Sequence, residues 1–204
     1  MDSQILNILY IIPGILLGFT IHEFSHALVA YRLGDDTPKH QGRLTLSPFA
    51  HIDLMGFLAI LLIGFGWAKP VQINTRNFKN PRRDDILVSI AGPLSNLGLA
   101  IISLLIFKFA YPFVSGQLGE VMIRLLLNCV IYNVILFIFN LMPIPPLDGY
   151  SIFKNIAPLS FYPFFSKIEK YSSWILIIFV FLLANTILTP IYIFIYSILK
   201  VLAK

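Results

Sequence analysis

The residues with the clearest chemistry are five in a row, His22-Glu23-Phe24-Ser25-His26, inside the first apolar stretch. Side chains four apart lie one above the other on a helix, so the two imidazoles can grip a single ion. Glu23 sits beside them and can take a proton from water activated at that ion. Two imidazoles and a carboxylate are expensive in a transmembrane helix when they lack partners, which raises the weight of the HExxH pattern here. The alternative is a set of packed polar residues that bond to neighbouring helices.

Two histidines leave a zinc site incomplete, because catalytic zinc takes three protein ligands and keeps one open position. The best third candidate is Asp148, in Asn140-Leu-Met-Pro-Ile-Pro-Pro-Leu-Asp-Gly149. Pro143, Pro145 and Pro146 cannot continue a helix, and Gly149 permits a tight turn that points Asp148 back toward the first helix. Read alone, Asp148-Gly149 would be an ordinary surface turn.

Other polar residues stand in apolar surroundings. Asn96, in Ala91-Gly92-Pro93-Leu94-Ser95-Asn96, and Asn140 have two readings. They are either amide glue between closely packed helices or donors to a substrate carbonyl and its oxyanion. His51, paired with Asp53, either orients a ligand from behind or sits in the membrane interface. His40 lies in a polar loop, and the aromatic run 161–165 suits an interfacial belt.

These residues must be positioned by membrane-spanning elements. Of 204 residues 57% are hydrophobic and only 12% charged, and the mean hydropathy is +0.82, which places the chain in the membrane class. Four long apolar segments, Ile5–Tyr31, Ile86–Phe113, Val121–Met142 and Trp174 to about Leu188, are each near the length that crosses a bilayer core of about 30 Å. Leu54–Trp67 and Ile191–Leu202 are shorter, the second following Pro190. The N-terminus lacks the basic flank of a signal peptide, so the first segment is expected to be a permanent span. Cys129 is the only cysteine, so any metal must be held by His, Asp or Glu.

Lys and Arg cluster in the connections 32–51, 67–85 and 143–170, while the first four residues and 114–119 are nearly bare of them. The positive-inside rule then puts the N-terminus outside and the three basic connections in the cytoplasm. Both loops flanking 54–67 want the same side, so that segment should dip in and return or lie in the interface. Residues 43–47 and 71–74 alternate polar and apolar and are expected as short strands. The same topology delivers His22, His26 and Asp148 to one depth on the cytoplasmic side. The net charge of +5 is juxtamembrane, not a face for nucleic acid.

Three blocks, HEFSH at 22–26, AGPLSN at 91–96 and NLMPIPPLDG at 140–149, resemble the site-2 proteases, the M50 family of intramembrane zinc metallopeptidases. The stretches Gly42–Asp53 and Gly66–Pro70 resemble its compact prokaryotic branch. The resemblance implies one Zn²⁺ per chain on His22, His26 and Asp148, Glu23 as the group that activates water, and Asn96 and Asn140 facing the site. It further implies a membrane-associated sheet that holds an unwound transmembrane substrate, in the cell membrane of a prokaryote. A PDZ or CBS regulatory domain, common in the family, does not fit in this chain.

The expected fold is therefore an all-α polytopic membrane protein of four to six transmembrane helices. A small membrane-associated β element lies between the first and second long spans. The chain reads as one domain, 1–204, with a catalytic core at about 5–150 and further membrane segments at about 171–204. The expected activity is peptide-bond hydrolysis in a transmembrane protein. The rival readings are a metal-ion transporter, whose polar residues would spread through the bilayer depth, and a non-catalytic protein that binds membrane helices.

Overall fold

The computed structural model describes residues 3–63 and 66–202. The first apolar stretch is one 30-residue helix, α1 (Ser3–Arg32). It stops where Gly34 adopts φ 107°, a left-handed conformation that glycine takes without a Cβ clash. The Gly34 N–H returns to the Tyr31 carbonyl and the Asp35 N–H to that of Ala30, which satisfies the last turn. A short turn of helix, α2 (Thr37–His40), and the apolar α3 (Leu54–Ile63) follow. Then come α4 (Pro81–Ala110), α5 (Gly116–Asn140), α6 (Asp148–Ile156), α7 (Tyr162–Glu169) and α8 (Ser172–Leu202).

Helices α1, α4 and α5 pack on one another, with α6 against α4 and α8 against α5. Their interior holds many small or polar residues, with Ala27, Ala30, Ala100, Asn96, Ser103 and Asn133 buried beside Phe107, Val130 and Ile131. Large apolar side chains such as Ile101, Ile102, Leu105 and Ile106 point outward. That inversion suits a lipid surround, where burying leucine gains nothing and close backbone approach gains dispersion. Gly14 and Gly18 of α1 make the approach to α5 possible. A Cβ on Gly14 would lie 2.9 Å from the Cys129 Cα, and one on Gly18 would lie 2.6 Å from the Asn133 Oδ1. Three described helices are long and apolar enough to cross a membrane: Ile8–Arg32, Pro81–Phe113 and Gly116–Asn140.

Helix α3, ten residues and about 15 Å long, is too short to cross alone. Its two flanks meet, because Ile52 and Ala68 form an antiparallel bridge and the Lys69 N–H donates to the His51 carbonyl at 2.8 Å. The chain from 54 to 67 therefore leaves and returns to one place. Among the described residues there is no β-strand, which corrects the expectation for 43–47 and 71–74. Alternating polarity reports which face a side chain takes, not which group the backbone bonds. Between 71 and 74 side chains take two of the N–H groups a ladder would use. Arg43 donates to the carbonyls of Ala50, Lys69 and Pro70, while the N–H groups of Val71 and Asn74 go to Glu23 and Asp35. Residues on both sides of Pro190 also form one helix, α8, and not two segments.

Asp35 is fully buried and knots the α1–α2 turn to the segment 74–77. Its carboxylate accepts from the Thr37 N–H and hydroxyl, the Asn77 amide and the Asn74 N–H. Burial pushes this carboxyl up, but the four donors outweigh it and hold the group below its ordinary 3.8. A carboxyl held low in the fold stabilises it above the unfolded pKa and loses that contribution as pH falls through the folded value. Asp35→Ala is expected to destabilise the protein by about 2–3 kcal/mol at neutral pH, as for hydrogen bonds to a charged group. The gap from wild type should narrow below about pH 4. Thermal unfolding in detergent at pH 7 and pH 3 measures both, and an equal gap at the two values would contradict this account.

Candidate metal centre and active site

Helix α1 presents His22, Glu23 and His26 about two turns before its end, all buried. The α5 helix ends at Asn140, where Pro143, Pro145 and Pro146 stop helical bonding, and the chain turns through 141–147 into α6. Asp148 is the first residue of α6. Gly149, expected to permit a tight turn, lies in the first turn of α6 and allows close approach. A Cβ there would lie 2.2 Å from the Leu141 carbonyl oxygen, so α6 tucks directly beneath the end of α5.

This tuck brings three distant side chains together. The Nε2 atoms of His22 and His26 are 3.0 Å apart, and the Asp148 Oδ2 lies 3.1 Å from the first and 3.3 Å from the second. The other nitrogen of each ring is already engaged. His22 Nδ1 is 2.7 Å from the Asn96 Oδ1, and His26 Nδ1 is 2.8 Å from the Val88 carbonyl oxygen. Both of those oxygens can only accept, so each Nδ1 carries a proton and each Nε2 is turned inward. Two ring nitrogens and a carboxylate oxygen converge there, and the buried Asp148 Oδ2 makes no well-formed hydrogen bond.

A cation resolves that arrangement. Ligand bonds of about 2.0–2.1 Å in tetrahedral geometry require donor separations of about 3.3 Å, close to the three distances observed. The donor set, two imidazoles and one carboxylate, suits zinc and leaves a coordination position open. Space is provided by Gly92 of α4, where a Cβ would lie 2.4 Å from His26 Nε2 and 2.7 Å from His22 Cε1.

Glu23 points to a different neighbour. Its Oε2 accepts the Val71 N–H at 2.8 Å, so the segment after Pro70 lies against the glutamate. Behind His22, Asn96 is fully buried and donates to the Gly18 carbonyl and the Asn133 Oδ1. Asn96 thus reaches the site through a histidine ring, and not as a free donor facing a substrate. Asn140 bonds the Leu136 carbonyl of its own helix. His51 is fully buried and bonds the Thr45 carbonyl, within the loop that carries the 52–68 bridge. Asn133 and the steric part of Gly92 escaped the sequence reading. The signals were present: an asparagine in mid-span of an apolar helix, and small residues at 14 and 18 that mark close helix contact.

Known proteins decide the family. The chain is 44% identical over 192 residues to YwhC of Bacillus subtilis, provisionally named a zinc metalloprotease, covering 89% of this chain and 84% of that protein. The chain belongs to peptidase family M50. The model of Peptidase family M50 matches residues 114–183, which contain Asp148. Rip2 of Mycobacterium tuberculosis, also provisionally named a zinc metalloprotease, is 34% identical over 149 residues, 69% of this chain and 54% of its own length. The chain thus spans about half of Rip2. MJ0611 of Methanocaldococcus jannaschii, named in the same way, is 25% identical over 141 residues, 67% of this chain and 65% of that protein. No solved structure matches significantly. The chain is accordingly a site-2-protease-like intramembrane metalloprotease, with the helical, apolar build of that M50 family.

Proposed function

We propose that His22, His26 and Asp148 hold one zinc ion per chain and that Glu23 is the general base for hydrolysis of a transmembrane protein substrate. The observation that carries this is the inward triangle of two Nε2 lone pairs and the Asp148 Oδ2, with both Nδ1 protons spent elsewhere. Zinc, when bound, supplies a Lewis acid that polarises the scissile carbonyl and makes water easier to deprotonate. Glu23 takes the proton of the attacking water and returns it to the leaving amine. The Val71 N–H holds the Glu23 carboxylate in place, and Asn96 and the Val88 carbonyl hold the two rings.

A helical substrate hides its amide bonds and must be extended before water reaches them. The 71–74 segment is suited to receive it. It has no helix or strand, Asn74 is extended, and among the described residues Gln72 and Ile73 make no backbone–backbone hydrogen bond. A cleft of about 450 Å³ lined by Gln41, Arg43, Lys69, Pro70 and Gln72 runs beside it. An added strand would find free main-chain partners there. The distribution of Lys and Arg supports an N-terminus outside and a site facing the cytoplasm in a prokaryotic cell membrane. In that arrangement α8 is a fourth crossing and 54–67 a returning hairpin. An intact Glu23 beside converging ligands gives a metal carrier or a silent helix binder no support.

The test uses the full chain in detergent or nanodiscs. Metal analysis of wild type should give one zinc per chain, and a panel of single-span substrates should be cut. His22→Ala and Asp148→Ala should each lower zinc affinity beyond the roughly 10–100-fold typical of an outer partner. A wild type that holds no zinc, or an Asp148→Ala that holds it normally, would overturn the assignment.

A further inference from the structure

We infer that Asn133 of α5, which touches none of the three proposed ligands, is a positioning residue for the His22 ring, acting through Asn96. The inference rests on the zinc-site reading above. Asn133 is fully buried. Its Nδ2 donates to the Cys129 carbonyl at 2.8 Å and to the Gly14 carbonyl at 3.2 Å. Two acceptors on one side leave no freedom in the amide: its oxygen must face the other way. That oxygen accepts from Asn96 Nδ2 at 2.9 Å. The second Asn96 donor goes to the Gly18 carbonyl at 3.0 Å, so the Asn96 oxygen is turned to His22 Nδ1.

The result is a directed chain of hydrogen bonds. Carbonyls of α1 and α5 orient Asn133, Asn133 orients Asn96, and Asn96 accepts the His22 Nδ1 proton. Reversal of any amide would set oxygen against oxygen in a buried site. The chain ends by keeping the His22 Nε2 lone pair aimed at the cation position. It also joins all three core helices, so the ring orientation depends on how α1 and α5 pack. The room for it is built in, since a Cβ on Gly18 would collide with the Asn133 oxygen.

A purely structural asparagine would only affect stability, and the following comparison separates the two roles. Asn133→Leu removes both the donors and the acceptor, so Asn96 is no longer held. Asn133→Asp, neutral in this setting, keeps the shape and the oxygen toward Asn96. Asp35→Ala removes another buried polar group, whose partners Thr37, Asn74 and Asn77 give no hydrogen-bonded path to the histidines. Zinc affinity is measured by chelator competition on purified full-length protein, with thermal stability alongside and the His22 ring tautomer read from ¹⁵N resonances. Asn133→Leu should bind zinc about tenfold more weakly and populate the other His22 tautomer, in line with an outer partner of a metal ligand. Asn133→Asp should stay within about threefold of wild type, and Asp35→Ala should lose stability alone.

Affinity within twofold of wild type in folded Asn133→Leu, or an equal loss in Asp35→Ala, would overturn the inference. If Asn133→Leu does not fold, Asn133→Ser takes its place, because a serine hydroxyl is too short to reach Asn96. The same tenfold loss is expected there, and wild-type affinity would be decisive against the role. Zinc in the wild type is measured first. Its absence would count against the metal site itself, whereas zinc held equally by wild type and variants would remove only the part given to Asn133.

Discussion

Glu23→Gln is expected to lower the rate of substrate cleavage by about 100- to 10,000-fold, the range for loss of a general base. Its zinc content should remain that of wild type. The reason lies in what glutamine keeps. It is isosteric, its amide oxygen can still accept the Val71 N–H that now bonds Oε2, and it leaves the three proposed ligands untouched. What disappears is the ability to take a proton. The fold, the strap after Pro70 and the metal site should therefore all persist while turnover stops. Metal analysis and a cleavage assay on the same preparation measure the two quantities together. Equal cleavage by Glu23→Gln would remove this residue from the chemistry.

Gly92→Ala carries the second large effect, and it opposes the intrinsic preference of the backbone. Alanine in place of glycine within a helix stabilises it by about 1 kcal/mol when nothing else changes. At position 92 something does change. The new methyl group would stand 2.4 Å from His26 Nε2, 2.6 Å from His26 Cε1 and 2.7 Å from His22 Cε1. Those rings are held from behind by Val88 and Asn96 and cannot retreat without losing their hydrogen bonds. Zinc affinity should fall at least about tenfold, as when a ligand is misoriented, and cleavage should fall with it. Gly98→Ala on the same helix is the matched control, because a Cβ there meets nothing within 4 Å. It should leave metal binding intact and raise stability slightly. Wild-type zinc affinity in Gly92→Ala would show that the rings can yield.

Much of this was legible before any coordinates. The spacing of His22 and His26 places them on one helical face whatever the rest of the fold does, because helix periodicity is local. The proline run after Asn140 likewise announces a helix end locally, since proline offers no N–H. Long apolar runs announce α1, α4 and α5 for the same reason. Where the reading departed from the structure, the deciding interaction was not local. Residues 43–47 and 71–74 alternate like strands, yet Glu23 and Asp35 claim two of the N–H groups that a ladder would pair. Gly149 was expected in a turn, whereas the closeness of Leu141 is what requires it. Asn96 and Asn140 were each read as interhelical glue or substrate donors; the amide that joins Asn96 comes from Asn133, seven residues before Asn140.

The sequence by itself determined the residue types, their helical phase and their relative depth, because each depends on neighbours within a few positions or on the count of apolar and basic residues. Only the tertiary structure decided that two imidazoles and a carboxylate 122 positions beyond the second of them approach within 3.3 Å of one another. It also decided which ring nitrogen carries the proton and which glycine leaves room for a cation. The physical reason is range. Hydrogen-bond direction and steric exclusion act over a few ångströms between segments far apart in the chain, so their outcome exists only once α1, α4, α5 and α6 have packed.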